Sequence, residues 1–376
     1  MGALNGLTVI EFAGLGPVPF AGMVLADQGA RVIRIERPGA ANNENNVLCR
    51  NRKRVALDLK HSDARDAVLR LIETADALIE PYRPGVMERL GLGPDDCQAH
   101  NPKLVYGRMT GWGQTGPLAA AAGHDINYIA LSGVAHAIGR AGEAPVPPLN
   151  LVGDYGGGGM LLAFGVMAGV WEAQRSGRGQ VIDAAMVDGA SLLMAEYWGF
   201  LGRGEFSDRR GTHLLDGGAP FYQLYETSDH RHISVGPLEP KFYDELLQRL
   251  GLNPDEWQPQ NDPTVWARLK TRLTDIFRSR TRAEWTAALE GTDSCFAPVL
   301  SLAEVPDHPH HLARKTVVRV NGMHQPSPAP RFARTPADKP LPGGLPGTHT
   351  REVLRGVGLT HDQISSLIAG RAAQQD

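Results

Sequence analysis

Strand-length apolar runs alternate with helix-length amphipathic segments over the first 110 residues, and this alternation constrains the fold more than any single motif. Residues 7–13 (LTVIEFA) read as a buried strand, residues 19–28 as a helix, and residues 31–36 (RVIRIE) as a second strand. A helix over 64–74 follows, then short strands at 77–80 and 104–109. Strands separated by helices of this length imply a parallel, doubly wound sheet. An apolar helix over 160–174, opened by a glycine run, a strand at 181–184 and a helix over 189–202 continue the pattern. The expected fold is α/β, with a Rossmann-like doubly wound large domain over residues 1–202.

The texture changes after Gly202. Residues 203–218 are polar and glycine-rich, as a linker would be. Residues 221–227 and 232–235, with Asp229-His230 as the turn, read as an antiparallel hairpin. With helices at 240–250, 265–279 and 282–289 they define a smaller α+β domain over 219–316. Proline-rich residues 325–347 keep the chain extended, so 317–347 reads as a return linker. Residues 348–376 form a tail packing on the large domain, helical at 352–354 and 360–369, with Thr360 as an N-cap. A chain of 376 residues exceeds one typical core, in keeping with two lobes.

A formal charge of −3 gives no overall basic footprint, which argues against nucleic acid as a partner. The longest apolar run, near residues 160–171, is interrupted by glycine and short for a bilayer span, so no membrane is expected. MGALNGLTVIEFAG lacks the basic region of a secretory signal, and RAAQQD is not a peroxisomal address. Cys49, Cys97 and Cys295 are widely spaced, as free thiols in a reducing compartment would be. The expected location is cytoplasmic.

The segments that carry chemistry are Gly123-His124-Asp125-Ile126-Asn127-Tyr128 and Gly153-Asp154-Tyr155 with the four glycines after it. A histidine and an aspartate in separate glycine-flanked loops suit a reaction in which one group removes a proton and another returns it. Each also has a structural reading. Asp154 is placed to cap the following helix, and Asp125 and Tyr128 to order the loop around His124.

GHDINY, NLVGDYGGG (Asn150–Gly158) and LDGGAPFY (Leu215–Tyr222) closely resemble the α-methylacyl-CoA racemases, a branch of the family III CoA-transferases. The resemblance runs from Leu4 to about Gly251 and resumes over Pro328–Thr335. It implies racemisation or epimerisation at C2 of 2-methylacyl-CoA thioesters, with no cofactor beyond the coenzyme A of the substrate. It also implies a homodimer whose chains interlock through two linkers. His124 would be the base for one enantiomer and Asp154 for the other, with Gly123, Asp125, Ile126, Asn127 and Tyr128 around the substrate. Glu239 matches a carboxylate that partners the catalytic histidine and fixes its tautomer. Apart from the resemblance, Glu239 reads as a charge at the start of the helix opened by Pro240.

The pair shares one proton, so Asp154 must titrate towards the histidine range. Burial among Leu151, Val152 and Met160 would raise it, while a helix N-terminus and a charged His124 would lower it. Backbone N–H groups of Gly156–Gly159, or of Asp154, are candidates to receive the enolate oxygen.

Coenzyme A needs cationic forks for its phosphates and a flat pocket for adenine. Arg37 follows the second strand at the carboxyl edge, where doubly wound folds bind ligands. By resemblance, Arg83 and Arg89 contact the coenzyme, and Leu57, Asp58, Leu59 and Lys60 form its adenine side. Asn51-Arg52-Lys53-Arg54 is a denser basic cluster, facing either phosphate or solvent. Gly14-Leu15-Gly16 with Glu36 downstream imitates a dinucleotide fingerprint, but Pro19 replaces the third glycine. That reading is rejected, and the turn is expected to let a helix pack closely near the acyl group. Met109, Met160, Met186 and Met194 offer an adaptable acyl surface or plain core. His308-Pro309-His310-His311 lacks helical ligand spacing, so no metal is assigned.

Two other functions remain. One is CoA transfer with Asp154 as nucleophile, and the other an inert acyl-CoA-binding protein, which would keep the arginines but not need His124, Asp154 and Glu239. Transfer does not need a histidine at position 124, whereas proton exchange on the opposite face does. GHDINY therefore favours the racemase.

Overall fold

Six strands run parallel in the order β3-β2-β1-β4-β5-β6: β1 (Thr8–Phe12), β2 (Arg31–Glu36), β3 (Arg52–Leu57), β4 (Ala77–Glu80), β5 (Val105–Thr110) and β6 (Val181–Ala185). The computed structural model describes residues 2–40 and 45–376. Cα packing groups the chain into two units: Met1–Ser132, Pro148–Leu193 and Pro309–Asp376 in one, Gly133–Pro147 and Met194–His308 in the other. In the first unit β1 to β5 are buried on both faces, as in a doubly covered parallel sheet, while edge strand β6 is partly exposed. Ile10, Ile33, Val55 and Leu78 meet the helices Ser62–Ile72 and Pro94–His100 on one side. Val9, Val32, Ile79 and Val105 meet the helices Pro17–Asp27 and Leu161–Ser176 on the other. Strand order reverses between β1 and β4, so the loops leaving those two strands diverge and open a crevice there.

β3 is the strand the sequence reading missed, because RKRVAL looks like a solvated loop. Its arginines instead point inward. Glu11 pairs with Arg34 and Arg52, and Glu36 pairs with Arg34 and Arg54, all five being buried. Buried charges persist only when paired. The helix Pro17–Asp27 crosses this row at Gly22, where any Cβ would collide with Glu11 and Arg52. Arg52 and Arg54 are thus committed to carboxylates inside the sheet, which corrects the phosphate reading of that cluster. Lys53 pairs at the surface with Glu352.

The apolar helix begins at Leu151, well before Met160. A π-helical run, Leu151–Met160, leads into the α-helix Leu161–Ser176. Its glycines are packing positions: Gly157 abuts the backbone of Gly189 and Ala190, and Gly159 abuts Pro17. The combined 26-residue helix is long and apolar enough to cross a membrane by length and composition, unlike the shorter run read from sequence. Leu162, Val166 and Val170 pack into the sheet core, whereas Met160, Phe164 and Trp171 are exposed. The helix expected over 189–202 is two, Met186–Leu193 and Ala195–Gly202.

In the second unit β7 (Gln223–Glu226), β8 (His232–Val235) and β9 (Phe296–Pro298) form an antiparallel sheet, with Tyr225 opposite Ile233. The hairpin expected here forms, while three-residue β9 is too short to carry a period-2 signal. Helices Pro240–Arg249, Pro263–Phe277 and Arg282–Leu289 enclose a core of Phe221, Tyr243, Trp257, Trp266 and Phe277.

Residues read only as extended linker contain a hairpin, β10 (Val317–Val320) with β11 (Met323–Pro326). Asn321 and Gly322 between them have φ of 46° and 79°, the two positive values a tight hairpin turn needs. The chain end supplies Thr350–Gly356, then His361–Ala369, whose N-cap Thr360 accepts from the Gln363 N–H. Finally β12 (Ala373–Gln374) pairs antiparallel with β3.

Candidate active site

A cavity of about 400 Å³ lies at the switch point of the sheet. Its walls come from Ala13–Pro17 after β1, Pro81–Pro84 after β4 and Met109–Trp112 after β5, joined by Gly123, His124, Tyr128, Asp154 and Met186. Ligand-binding loops belong at this position in a doubly wound sheet.

Each residue of the GHDINY segment has a distinct task. His124 is the N-cap of the helix Asp125–Leu131 and is exposed. Asn127 holds it there by accepting the His124 N–H at 3.0 Å and donating its own N–H to the His124 carbonyl at 2.8 Å. Tyr128 is buried, with its ring edge-on to Trp112 at 4.8 Å. The ring also lies against Gly123, where a Cβ would be 2.8 Å from Cε1. Burial raises the Tyr128 hydroxyl above its ordinary range. Asp125 is buried and accepts the backbone N–H of Asp154 at 2.7 Å, tying the His124 and Asp154 segments together. Ile126 is half-exposed.

Asp154 stands in the first turn of the π-helical run, so it is not the cap of a later helix. Its carboxylate accepts from the Asn150 amide at 3.0 Å. The tight turn after β1 makes room for it: Gly16 has φ of 63°, and a Cβ there would be 2.6 Å from Asp154 Oδ2. Burial pushes the Asp154 carboxyl upward, the Asn150 amide opposes the rise, the Asp125 carboxylate adds to it, and His124 opposes it. Leu151 and Met160, expected beside it, are themselves exposed. The N–H groups expected to receive an enolate oxygen are already engaged. That of Asp154 goes to Asp125, and those of Gly156–Gly159 lie within a π-helical run that bonds five residues back.

Behind the cavity, buried Glu80 ends β4, accepts the Tyr82 N–H at 2.6 Å and pairs with Arg108, which also reaches Glu88. Burial pushes Glu80 up to about 7. This network anchors the segment that carries Arg83 and Arg89.

The other expected residues fall in three places. Arg83 is exposed and lines the cavity. Arg37 at the end of β2 and Arg89 in the helix Val86–Arg89 are exposed and not among the lining residues. Leu57 is buried core at the end of β3, Leu59 packs beside it, the Asp58 carboxylate accepts the Lys60 N–H, and Lys60 is exposed. Glu239 belongs to the second unit, exposed at the N-cap of Pro240–Arg249, with no capping hydrogen bond from its side chain. Of the four methionines, Met109 and Met186 line the cavity. Among the described residues no cluster of His, Cys, Asp and Glu suits a metal. Asn150 and Gly16 were missed. Asn150 lies one turn before Asp154, a relation visible only once the helix start at Leu151 is known.

A doubly wound sheet with a histidine and an aspartate lining the crevice of its switch point is the architecture of an α/β enzyme of small-molecule substrates. The chain belongs to CoA-transferase family III, whose pattern matches residues 4–350. It is 45% identical to alpha-methylacyl-CoA racemase of Mus musculus over 99% of this chain and 98% of that one. Identity to the Homo sapiens alpha-methylacyl-CoA racemase is 42%, over 97% and 96% of the two chains. The crystal structure of Rv3272 from M. tuberculosis is similar with a TM-score of 0.76 at 28% identity, covering 93% of this chain and 98% of that one.

Proposed function

We propose that this chain racemises 2-methylacyl-CoA thioesters by proton exchange at C2 through an enolate. The observation that carries the reading is the convergence of His124 and Asp154 on one cavity from separate elements, with burial holding the Asp154 carboxyl above its ordinary range. In one direction neutral His124 takes the α-proton and protonated Asp154 delivers one to the other face. In reverse, ionised Asp154 takes the proton and charged His124 returns it. The raised carboxyl makes the protonated state accessible nearer neutrality, as the first direction requires. The enolate oxygen is assigned to the first-turn N–H groups of Asp125 and Ile126, which a helix leaves without intrahelical carbonyls.

Coenzyme A arrives with the substrate, and the chemistry calls for no other cofactor. Arg83 would meet it at the cavity, with Arg37, Arg89 and residues 57–60 taking its phosphates and adenine farther out. In this reading residues 1–202 bind the coenzyme, 219–316 form the small domain, 203–218 and 317–347 link them, and 348–376 close on the large domain. The chain would work in the cytoplasm as an interlocked homodimer in which Glu239 reaches a catalytic histidine. The exposed stripe of Met160, Phe164 and Trp171 supports a covered surface. That use of the stripe, and the packing of its opposite side against the sheet, favour a core helix over a membrane span.

The test is proton NMR with one enantiomer of a 2-methylacyl-CoA in deuterated buffer and no acceptor acid. Collapse of the α-methyl doublet with loss of optical purity is expected. An unchanged spectrum across several such substrates would sink the racemase reading in favour of CoA transfer through Asp154.

A further inference from the structure

We infer that Asp125 is a positioning residue for the acid/base pair, its buried carboxylate clamping the Asp154 segment to the His124 segment and holding a negative charge beside Asp154. The inference rests on the racemase reading above and deepens it.

Three observations converge on Asp125. Its side chain is buried beside a water-accessible cavity, a costly place for a carboxylate without a task. Its Oδ1 accepts the Asp154 N–H at 2.7 Å, a bond between residues brought together only by the fold. Residue 153 must be glycine, because a Cβ there would overlap the Asp125 carboxylate. His124 immediately precedes Asp125 in the chain, so one side chain sets the separation of both proton-handling groups.

The charge has its own consequence. The groups facing Asp154 are Asp125 and Tyr128 of the helix Asp125–Leu131, His124 at its cap, and the neutral Asn150 amide, with Arg83 beyond Tyr128. Among these Asp125 is the carboxylate, and a like charge favours the protonated form of its neighbour. Asparagine at position 125 keeps the shape and the oxygen that accepts the Asp154 N–H but removes the charge. The ionised form of Asp154 then gains, its midpoint falls, and the protonated state needed for one of the two proton transfers becomes scarcer.

The experiment compares wild type, Asp125→Asn and Asp125→Ala by carboxyl-¹³C NMR titration of Asp154 and by exchange kinetics from each enantiomer. For Asp125→Asn a midpoint lower by about one pH unit is expected, with kcat/KM near neutrality reduced up to about tenfold, and equally in the two directions because the equilibrium between enantiomers is unchanged. Asp125→Ala should lose more activity than Asp125→Asn, since asparagine retains the oxygen that accepts the Asp154 N–H. An unchanged Asp154 midpoint in Asp125→Asn overturns the inference whatever the activity. Losses of similar size in the asparagine and alanine variants, with no midpoint shift, would reduce Asp125 to a structural role. If the wild type exchanges no α-proton, the racemase reading fails, while the titration still decides the placement of Asp125. Should Asp125→Ala misfold, the asparagine variant carries the test.

Discussion

At Gly16 the absence of one carbon decides where the Asp154 carboxylate sits. The turn after β1 holds φ of 63°, and a Cβ would come within 2.6 Å of Oδ2. Gly16→Ala should therefore displace the carboxylate and strain the turn by about 1–3 kcal/mol. We expect kcat to fall at least about tenfold with little change in KM, since the residues proposed to hold the coenzyme lie elsewhere. Unchanged exchange kinetics would mean the carboxylate has room to move. At this scale the sequence was partly legible. His124 and Asp154 stood out because each is a titratable group framed by glycines in a motif. Gly16 resembled a failed dinucleotide turn, and Asn150 an ordinary loop residue, because their meaning lies in a partner distant in sequence or in an unforeseen helix start.

Among the elements, β1, β2, β4 and β5 were readable because a strand covered on both faces is a largely apolar run with sharp ends. β3 was not, since its three basic residues imitate a surface. Its burial depends on carboxylates supplied by β1 and β2, which periodicity within one segment does not reveal. The basic cluster makes a discriminating prediction. With its side chain fully buried between Glu11 and the Pro19 carbonyl, Arg52 is a structural residue. Arg52→Ala leaves Glu11 a partner short and should lower unfolding free energy by roughly 3–5 kcal/mol in a urea titration. KM for the thioester should stay near wild type in the folded fraction. A large rise in KM with normal stability would restore the phosphate role. The same logic applies to the Asn321-Gly322 turn, whose local signal was present in the sequence but submerged in a proline-rich stretch.

For the whole molecule, the relation between Glu239 and His124 is the least legible feature, because they belong to separate compact units and no periodicity reports how two chains associate. The proposed interlocked dimer has a consequence that a single-chain site lacks. If Glu239 serves a histidine of the partner subunit, a heterodimer of Asp154→Ala and Glu239→Ala chains contains one doubly altered site and one intact site. If each chain completes its own site, every site in that heterodimer is damaged. Co-expressing the two variants with different affinity tags and isolating the doubly tagged species separates the cases. Shared sites predict exchange activity at about half the wild-type value per dimer, against low activity for either parent alone, because two-fold symmetry pairs each site with both chains. A doubly tagged dimer no more active than the sum of its parents would place Glu239 with its own chain or outside the mechanism. Interlocking adds a kinetic signature. Parents mixed after folding should gain activity only as fast as chains unfold and rethread, whereas side-by-side dimers would exchange on simple dilution.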